Sequence, residues 1–280
     1  MAGAAGGSRL LFATLRHLLL AAGAVIMLAP FILMLSLSLK SPAEIFAADW
    51  HLLPQTWHAS ENYLAAFSKQ PLARYLLNGF LVTFAIFACQ MLAAVPCAYA
   101  LAKLRWRGRE TVFALVLLGL LIPHQVTAIP LYIGMWKLGI LNTYAAVILP
   151  STISVFGIFL LRQFFKTVPD DLIHAARLDG LGEFAIVWRI MLPTAMPALL
   201  AFGLLSFVWN WNEFFWPLIV VQSERYATPP LGVLFFNNAE AGTNYGLLMA
   251  AAVVVNAPLI VAFLLAQRRF IEGVTMTGLK

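Results

Sequence analysis

The stretch FVWNWNEFFWP at residues 207–217 concentrates side chains that could bind a polar solute. The polar and aromatic side chains that share or flank one helical stripe here are Ser206, Trp209, Asn210, Asn212, Glu213 and Trp216. Aromatic faces combined with amide and carboxylate groups suit a solute that carries many hydroxyl groups. The alternative is structural, because polar side chains in a helical bundle also hydrogen-bond one helix to another. Both interpretations remain open on the sequence.

No group of residues predicts catalysis or a bound cofactor. The five histidines, at positions 17, 51, 58, 124 and 174, form no HExxH or other metal-ligand spacing. A GxxxxGK[ST] stretch that would hold a nucleotide phosphate is also absent from the sequence. We therefore expect no catalytic residue, metal site or cofactor in this chain, and an intramembrane enzyme is disfavoured.

The composition predicts an all-α membrane protein. Of the 280 residues, 62% are hydrophobic and 11% are charged, whereas soluble domains have about 25% charged residues. About 20 apolar residues span a bilayer as a helix. Six windows meet this length, at about 11–39, 75–101, 112–136, 144–161, 195–221 and 247–266. No linker divides them, so we expect a single membrane domain over residues 1–280.

Two features of this pattern predict how the spans are arranged. Pro123 and Pro130 lie inside the third window, where proline kinks or breaks a helix. The inner segments hold most of the 18 Lys and Arg residues, which predicts that both termini are cytoplasmic. The outer segments hold only Lys40, Lys69, Arg74, Lys137 and Arg225. The net charge of +6 therefore reflects topology and needs no nucleic-acid partner.

A polar stretch, PDDLIHAARLDGLGEFAIVWRIMLP, separates the fourth and fifth windows at residues 169–193. Pro169 suits a first helical position, and the acidic residues after it suit the positive end of a helix dipole. Gly180 suits the left-handed residue that ends a helix. A second short helix should start near Gly182 and form an amphipathic elbow on the inner membrane surface. Its apolar face would contain Leu181, Phe184, Val187, Trp188 and Met191.

The same stretch resembles the EAA loop in the membrane subunits of binding-protein-dependent ATP-binding cassette importers. The residues at the positions of that motif are Ala175, Ala176, Gly180, Ile190, Leu192 and Pro193. The similarity extends over most of the chain. The stretches that carry it are LIPHQVTAIPLY, LGILNTYAAVILP, FLLRQFFKTVPDDL, WNEFFWPLIV and QRRFIEGV. They resemble the six-span subunit of the maltose-type carbohydrate branch, and the subunits of glycerol-3-phosphate importers are similar as well.

The resemblance implies a permease subunit of the inner membrane that forms half of a translocation pathway. The solute would be a sugar, a polyol or a glycerol phosphate derivative, delivered by an external solute-binding protein. A second homologous permease subunit and two ATPase subunits, which bind ATP and Mg, would complete the importer. A non-transporting structural or regulatory membrane subunit on the same scaffold is the alternative.

The resemblance also implies that the loop at about 162–193 couples this chain to the ATPase. The residues expected to do so are Asp170, Asp171, His174, Ala175, Ala176, Arg177, Asp179 and Gly180. His174 stands where the family has the glutamate that heads the motif. We expect docking to rely on Ala175, Ala176, Arg177, Asp179 and Gly180.

Overall fold

The computed structural model describes residues 3–237 and 243–275, and their side chains over 12–237 and 243–265. Within these ranges every regular element is helical and no strand occurs, so the all-α prediction is confirmed. The helices divide between two compact units, Met1–Gln70 with Phe235–Val255, and Pro71–Leu234 with Asn256–Lys280.

The first unit contains three helices before its final segment. They are α1 Gly3–Ser38, α2 Pro42–Ile45 and α3 Ala59–Lys69. The end of α1 is fixed by hydrogen bonds, because Asn62 Nδ2 donates to the carbonyls of Ser38 and Lys40 at 2.9 Å each. The Lys40 ammonium is buried, donates to the carbonyl of His51 and lies over the ring of Trp50. These contacts fold the segment after α1 back onto its end.

The second unit contains the remaining helices. They are α4 Leu72–Ala102, α5 Arg109–Gly119, α6 Ala128–Lys137, α7 Tyr144–Ile148, α8 Val155–Thr167, α9 Asp170–Leu178, α10 Glu183–Ile186, α11 Leu192–Thr194, α12 Met196–Asn212, α13 Phe215–Val220 and α14 Pro229–Leu234. A π-helical turn, Val187–Met191, joins α10 to α11. The last helix, α15 Tyr245–Thr275, begins in the first unit and continues into the second.

Three helices are long and apolar enough to cross a bilayer alone: Phe12–Ser38, Leu72–Ala102 and Tyr245–Leu265. Two further spans result if each bent pair counts as one. Tyr144–Ser151 meets Val155–Thr167 at 41°, and Glu183–Thr194 meets Met196–Asn212 at 81°. The described part of the chain therefore supplies three to five candidate spans, and the predicted count of six is not confirmed.

The third predicted window gives no candidate span, either as one helix or as a bent pair. Residues 120–127 separate α5, which has 11 residues, from α6, which has 10. Pro123 lies in this interruption, so the predicted break is confirmed there. The same prediction is wrong for Pro130. That proline lies in the first turn of α6, where its missing N–H would have no intrahelical partner in any case.

The core of the second unit brings α4 against α8 and α12. Gly157 on α8 permits close approach, because a Cβ there would lie 2.6 Å from the ring of Phe202 on α12. Arg162 on α8 is buried at 2% exposure, and its guanidinium bonds to both carboxylate oxygens of Glu110. Its Nε donates to the carbonyl of Leu101, so this one side chain joins α8 to the end of α4 and the start of α5.

Candidate functional sites

Helix α9 has the boundaries that its sequence predicts. Pro169 is extended and immediately precedes the first helical residue, one position earlier than expected. Gly180 has φ +83°, which confirms the left-handed stop. The amide of Gly180 donates to the carbonyl of Arg177, and that of Leu181 donates to the carbonyl of Ala176, both at 3.0 Å. This pair of bonds is a Schellman motif, which satisfies the last carbonyls of the helix.

One face of α9 packs inside the chain and the other is exposed. Ile173 and Ala176 are each 3% exposed and lie in a core cluster with side chains of α4 and α8. Ala176 was expected to contact the ATPase, but the structure places its side chain inside this chain. Leu178 is 89% exposed and Leu172 is 47% exposed. With Ala175 they form an apolar stripe at a spacing of three residues, which the sequence analysis missed although that spacing predicts one face.

The polar residues expected to couple this chain to the ATPase also form two groups, one accessible and one held by contacts within the chain. Asp171, His174, Asp179 and Gly180 are exposed. Asp170 and Arg177 are exposed too, but each makes an ion pair within the chain. These two side chains therefore hold α9 in place, while the first group and the apolar stripe remain accessible.

The start of α9 is tied to the loop that follows α4. The ammonium of Lys103 donates to the Asp170 carboxylate at 2.6 Å and to the carbonyl of Val168 at 2.5 Å. The hydrogen bond from Lys103, together with its positive charge, lowers the pKa of the Asp170 carboxyl below its usual value. A carboxylate held in this way remains charged at neutral pH.

The end of α9 is tied to α4 through Glu183, the first residue of α10. Arg177 Nε donates to Glu183 Oε1 at 2.7 Å, and the Tyr99 hydroxyl donates to Glu183 Oε2 at 2.5 Å. The hydrogen bond to Glu183 raises the pKa of Arg177. Lys103, Tyr99 and Glu183 could not be predicted as site residues from the sequence, because only folding brings them to α9.

The elbow after α9 differs from its predicted face. Val187 and Met191 are buried as expected, but Phe184 is 73% exposed and Ile186 is fully buried. The reason is the π-helical turn at Val187–Met191, which has more residues per turn than the 3.6 used for the prediction. The bend of 81° into α12 is the sharp turn expected of an elbow.

Three of the six residues expected to line a pathway are buried inside the chain. Ser206 Oγ donates to Gln90 Oε1 at 2.7 Å, and Asn210 Nδ2 donates to Ser206 Oγ at 3.1 Å. The indole of Trp216 donates to the carbonyl of Ala146 at 2.9 Å. Ser206 and Trp216 therefore hydrogen-bond from one helix to another, whereas Asn210 hydrogen-bonds to Ser206 within α12.

The other three residues lie near the end of α12, where Trp209 and Asn212 are exposed and Glu213 is partly buried. Trp209 is 68% exposed and Asn212 is exposed, with its Nδ2 donating to the carbonyl of Val208. Glu213 lies between α12 and α13 in an extended conformation, and its Oε1 accepts the backbone N–H of Trp216 at 3.0 Å. The carboxylate thus caps α13 across a break that the sequence analysis did not predict.

The second carboxylate oxygen of Glu213 meets the interruption between α5 and α6. His124 Nε2 lies 3.5 Å from Glu213 Oε2. The imidazole centroid is 6.4 Å from the ring centroids of both Trp209 and Phe215. Two helix breaks therefore meet at a cluster of these four side chains. A groove of about 530 Å³ shares Phe215 with this cluster, and its other lining residues are Gln125, Ala128, Ile129, Tyr132 and Ile219.

Comparison with known proteins gives relatives along almost the whole chain. The chain is 34% identical to "Probable ABC transporter permease protein YurM" of Bacillus subtilis, over 90% of this chain and 83% of that protein. It is 36% identical to "Arabinooligosaccharides transport system permease protein AraQ" of Halalkalibacterium halodurans, over 79% of each. It is 30% identical to "sn-glycerol-3-phosphate transport system permease protein UgpE" of Yersinia pestis, over 92% of this chain and 94% of that one.

A solved structure has the same fold. The crystal structure of a bacterial ABC transporter involved in the import of the acidic polysaccharide alginate contains a chain that matches with a TM-score of 0.83 and 25% identity. The match covers 94% of this chain and 98% of that one. These relatives confirm the resemblance to the maltose-type carbohydrate branch. Residues 90–275 match the family described as "Binding-protein-dependent transport system inner membrane component", so this chain belongs to that family of ABC transporter permeases.

Proposed function

We propose that this permease forms half of the translocation pathway of an ATP-driven importer for a sugar, a polyol or a glycerol phosphate derivative. The named functions of its relatives, which include arabinooligosaccharide and sn-glycerol-3-phosphate transport, support this range of solutes. The proposal includes six spans with both termini in the cytoplasm. It also includes a second permease subunit, two ATPase subunits that bind ATP and Mg, and an external solute-binding protein.

The observation that carries the coupling role is the division of α9 into a packed face and an exposed face. Its exposed side presents Leu172, Ala175 and Leu178, flanked by Asp171 and His174. An apolar helical stripe with charged neighbours suits a groove on a partner protein. We assign the ATPase contact to this stripe, to His174 and to Asp171, with Asp179 and Gly180 at its end.

The braces at both ends of α9 explain how a movement of the ATPase would reach the membrane helices. Asp170 is held by Lys103 directly after α4, and Glu183 joins Arg177 to Tyr99 on α4 itself. Ile173 and Ala176 anchor the middle of α9 in the core. A pull on the exposed stripe would therefore act on α4 and α8, instead of displacing a loose loop. Ala176, Asp170 and Arg177 take this anchoring role in the proposal.

For the pathway we assign Trp209 and Asn212, which are exposed, together with the partly buried Glu213 that follows them. In the importer, the surface of one permease subunit that faces the other would border the path. The buried residues Ser206, Asn210 and Trp216 hold the helices that carry this surface in place through their hydrogen bonds.

The experiment that tests the function is reconstitution of the full complex in proteoliposomes, with the second permease, the ATPase and the binding protein. We expect the solute-loaded binding protein to stimulate ATP hydrolysis, because partner and nucleotide shift the same conformational equilibrium. A complex that assembles but hydrolyses ATP at one rate with and without the binding protein would support the structural or regulatory alternative.

A further inference from the structure

His124 is a titratable side chain that neither the motif nor the expected pathway includes. It lies in the interruption at residues 120–127, and its side chain is 39% exposed. Only its Nε2 faces Glu213. No described residue hydrogen-bonds to its Nδ1, and this nitrogen is therefore available to another molecule.

Glu213 is arranged to hold His124 and has little free capacity for a solute. One carboxylate oxygen caps α13 at Trp216 and the other lies 3.5 Å from His124. The side chain of Glu213 is 20% exposed, about half the exposure of the imidazole beside it. A carboxylate beside one ring nitrogen fixes the orientation of an imidazole and so directs its second nitrogen. The more exposed side chains of the cluster are therefore the imidazole, the Trp209 indole and the Phe215 ring, which is 37% exposed.

We propose that His124 and Trp209 form a contact site for a neutral, polyhydroxylated solute, with Glu213 as the residue that positions His124. The indole of Trp209, 68% exposed and edge-on to His124 at 83°, offers an aromatic face to the C–H surface of a sugar ring. The free imidazole nitrogen hydrogen-bonds a hydroxyl group. This inference rests on the proposed import function and narrows its range of solutes.

The described contacts of the cluster include no lysine or arginine partner for a phosphate-bearing solute. Among the described residues, no Lys or Arg takes part in the ion pairs and ring contacts of His124, Trp209, Glu213 and Phe215. The cluster contains the carboxyl group of Glu213, and two anionic groups placed side by side repel each other, most strongly where water is excluded. Neutral sugars and polyols meet no such penalty.

The test uses the complete importer in proteoliposomes and measures uptake of arabinotriose, maltose, sorbitol and sn-glycerol 3-phosphate. We expect uptake of a neutral member and none of sn-glycerol 3-phosphate. His124→Ala and Trp209→Ala should each raise KM by about tenfold, the loss expected of one hydrogen bond or one aromatic contact.

Two matched variants are the controls. His17→Ala removes an exposed imidazole on α1, and Trp136→Ala removes an indole on α6 that is 63% exposed. Both should leave KM unchanged. If His124→Ala does not assemble, the Trp209→Ala variant decides, because that ring is largely exposed and can be removed without opening the core.

Three results would overturn the site while the proposed function stands: uptake of sn-glycerol 3-phosphate, uptake of no neutral member, or an unchanged KM in the variants. In each of them the wild-type complex still shows binding-protein-stimulated hydrolysis. Loss of that stimulation in wild type would instead contradict the proposed function itself.

Discussion

At the scale of single residues, the side chains that position α9 are distinct from those that it offers to a partner. Asp170 and Asp171 are neighbours with the same charge at the same helix end. Lys103 pairs with Asp170, whereas no described residue makes an ion pair with Asp171. Two residues that look equivalent in the sequence therefore have separate roles, bracing for the first and exposure for the second.

Replacement of Asp170 by asparagine should lower the melting temperature of the protein in detergent at every pH between 5 and 8. The pKa of this carboxyl is lowered in the folded state, so its stabilising effect is fully present above the unfolded value of about 3.9. It is lost as the pH falls through the lower folded value, and the difference between wild type and variant should disappear there.

Asp171→Asn is the matched control for this measurement. It removes the same charge from the same helix end without breaking the contact with Lys103, and should shift the melting temperature less. An equal loss in both variants would show that the helix dipole, and not the brace, accounts for the effect of Asp170.

At the scale of elements, the stop of α9 depends on a backbone conformation that only glycine adopts without strain. Gly180→Ala should lower the free energy of unfolding by about 1 kcal/mol, the usual difference between alanine and glycine in the left-handed region. A Cβ at this position would meet nothing within 4 Å, so the loss is one of backbone conformation and not of packing. Denaturant unfolding of the detergent-solubilised protein measures it.

Gly134→Ala supplies a control of opposite sign. Gly134 lies within α6, and a Cβ there also meets nothing within 4 Å. Alanine in a helix interior should stabilise the protein by about 0.5–1 kcal/mol relative to glycine. Equal destabilisation by both substitutions would contradict the conformational explanation for Gly180.

Local features of the elements could be predicted from the sequence, and features that depend on folding could not. Gly180 and Pro123 act through their own backbone geometry, and the predictions for both hold. The exposure of Phe184 follows from a π-helical turn, which no residue pattern used here indicates. The pairing of His124 with Glu213 joins residues far apart in the chain, so spacing in the sequence carries no trace of it.

The same distinction between local features and features that depend on folding applies to the break between α12 and α13. Glu213 and Phe214 separate α12 from α13 within an apolar window whose two prolines, Pro197 and Pro217, lie in the first turns of α12 and α13 and not at the break. The break is stabilised by the cap on Trp216 and the nearby imidazole, which are contacts of the folded chain. Hydropathy alone therefore predicts one continuous span where the structure has two helices.

At the scale of the whole molecule, the interrupted third window decides the topology. If α5 and α6 together cross the membrane, residues before α5 and after α6 lie on opposite sides. In a variant without Cys89 and Cys97, a membrane-impermeant thiol reagent should label Leu138→Cys in intact cells. It should label Arg107→Cys only after the membrane is opened. Labelling of both from the same side would indicate a re-entrant segment and contradict the six-span topology.

The central claim is that the exposed stripe of α9 couples this permease to the ATPase. The most direct test is binding-protein-stimulated ATP hydrolysis by the reconstituted complex carrying Ala175→Arg, with Gln163→Arg at an exposed position of α8 as the control. A buried, unpaired charge in a helix groove costs several kcal/mol, so we predict that Ala175→Arg lowers the stimulation by at least about tenfold. The control should retain it. Full stimulation in the Ala175→Arg complex would contradict the account.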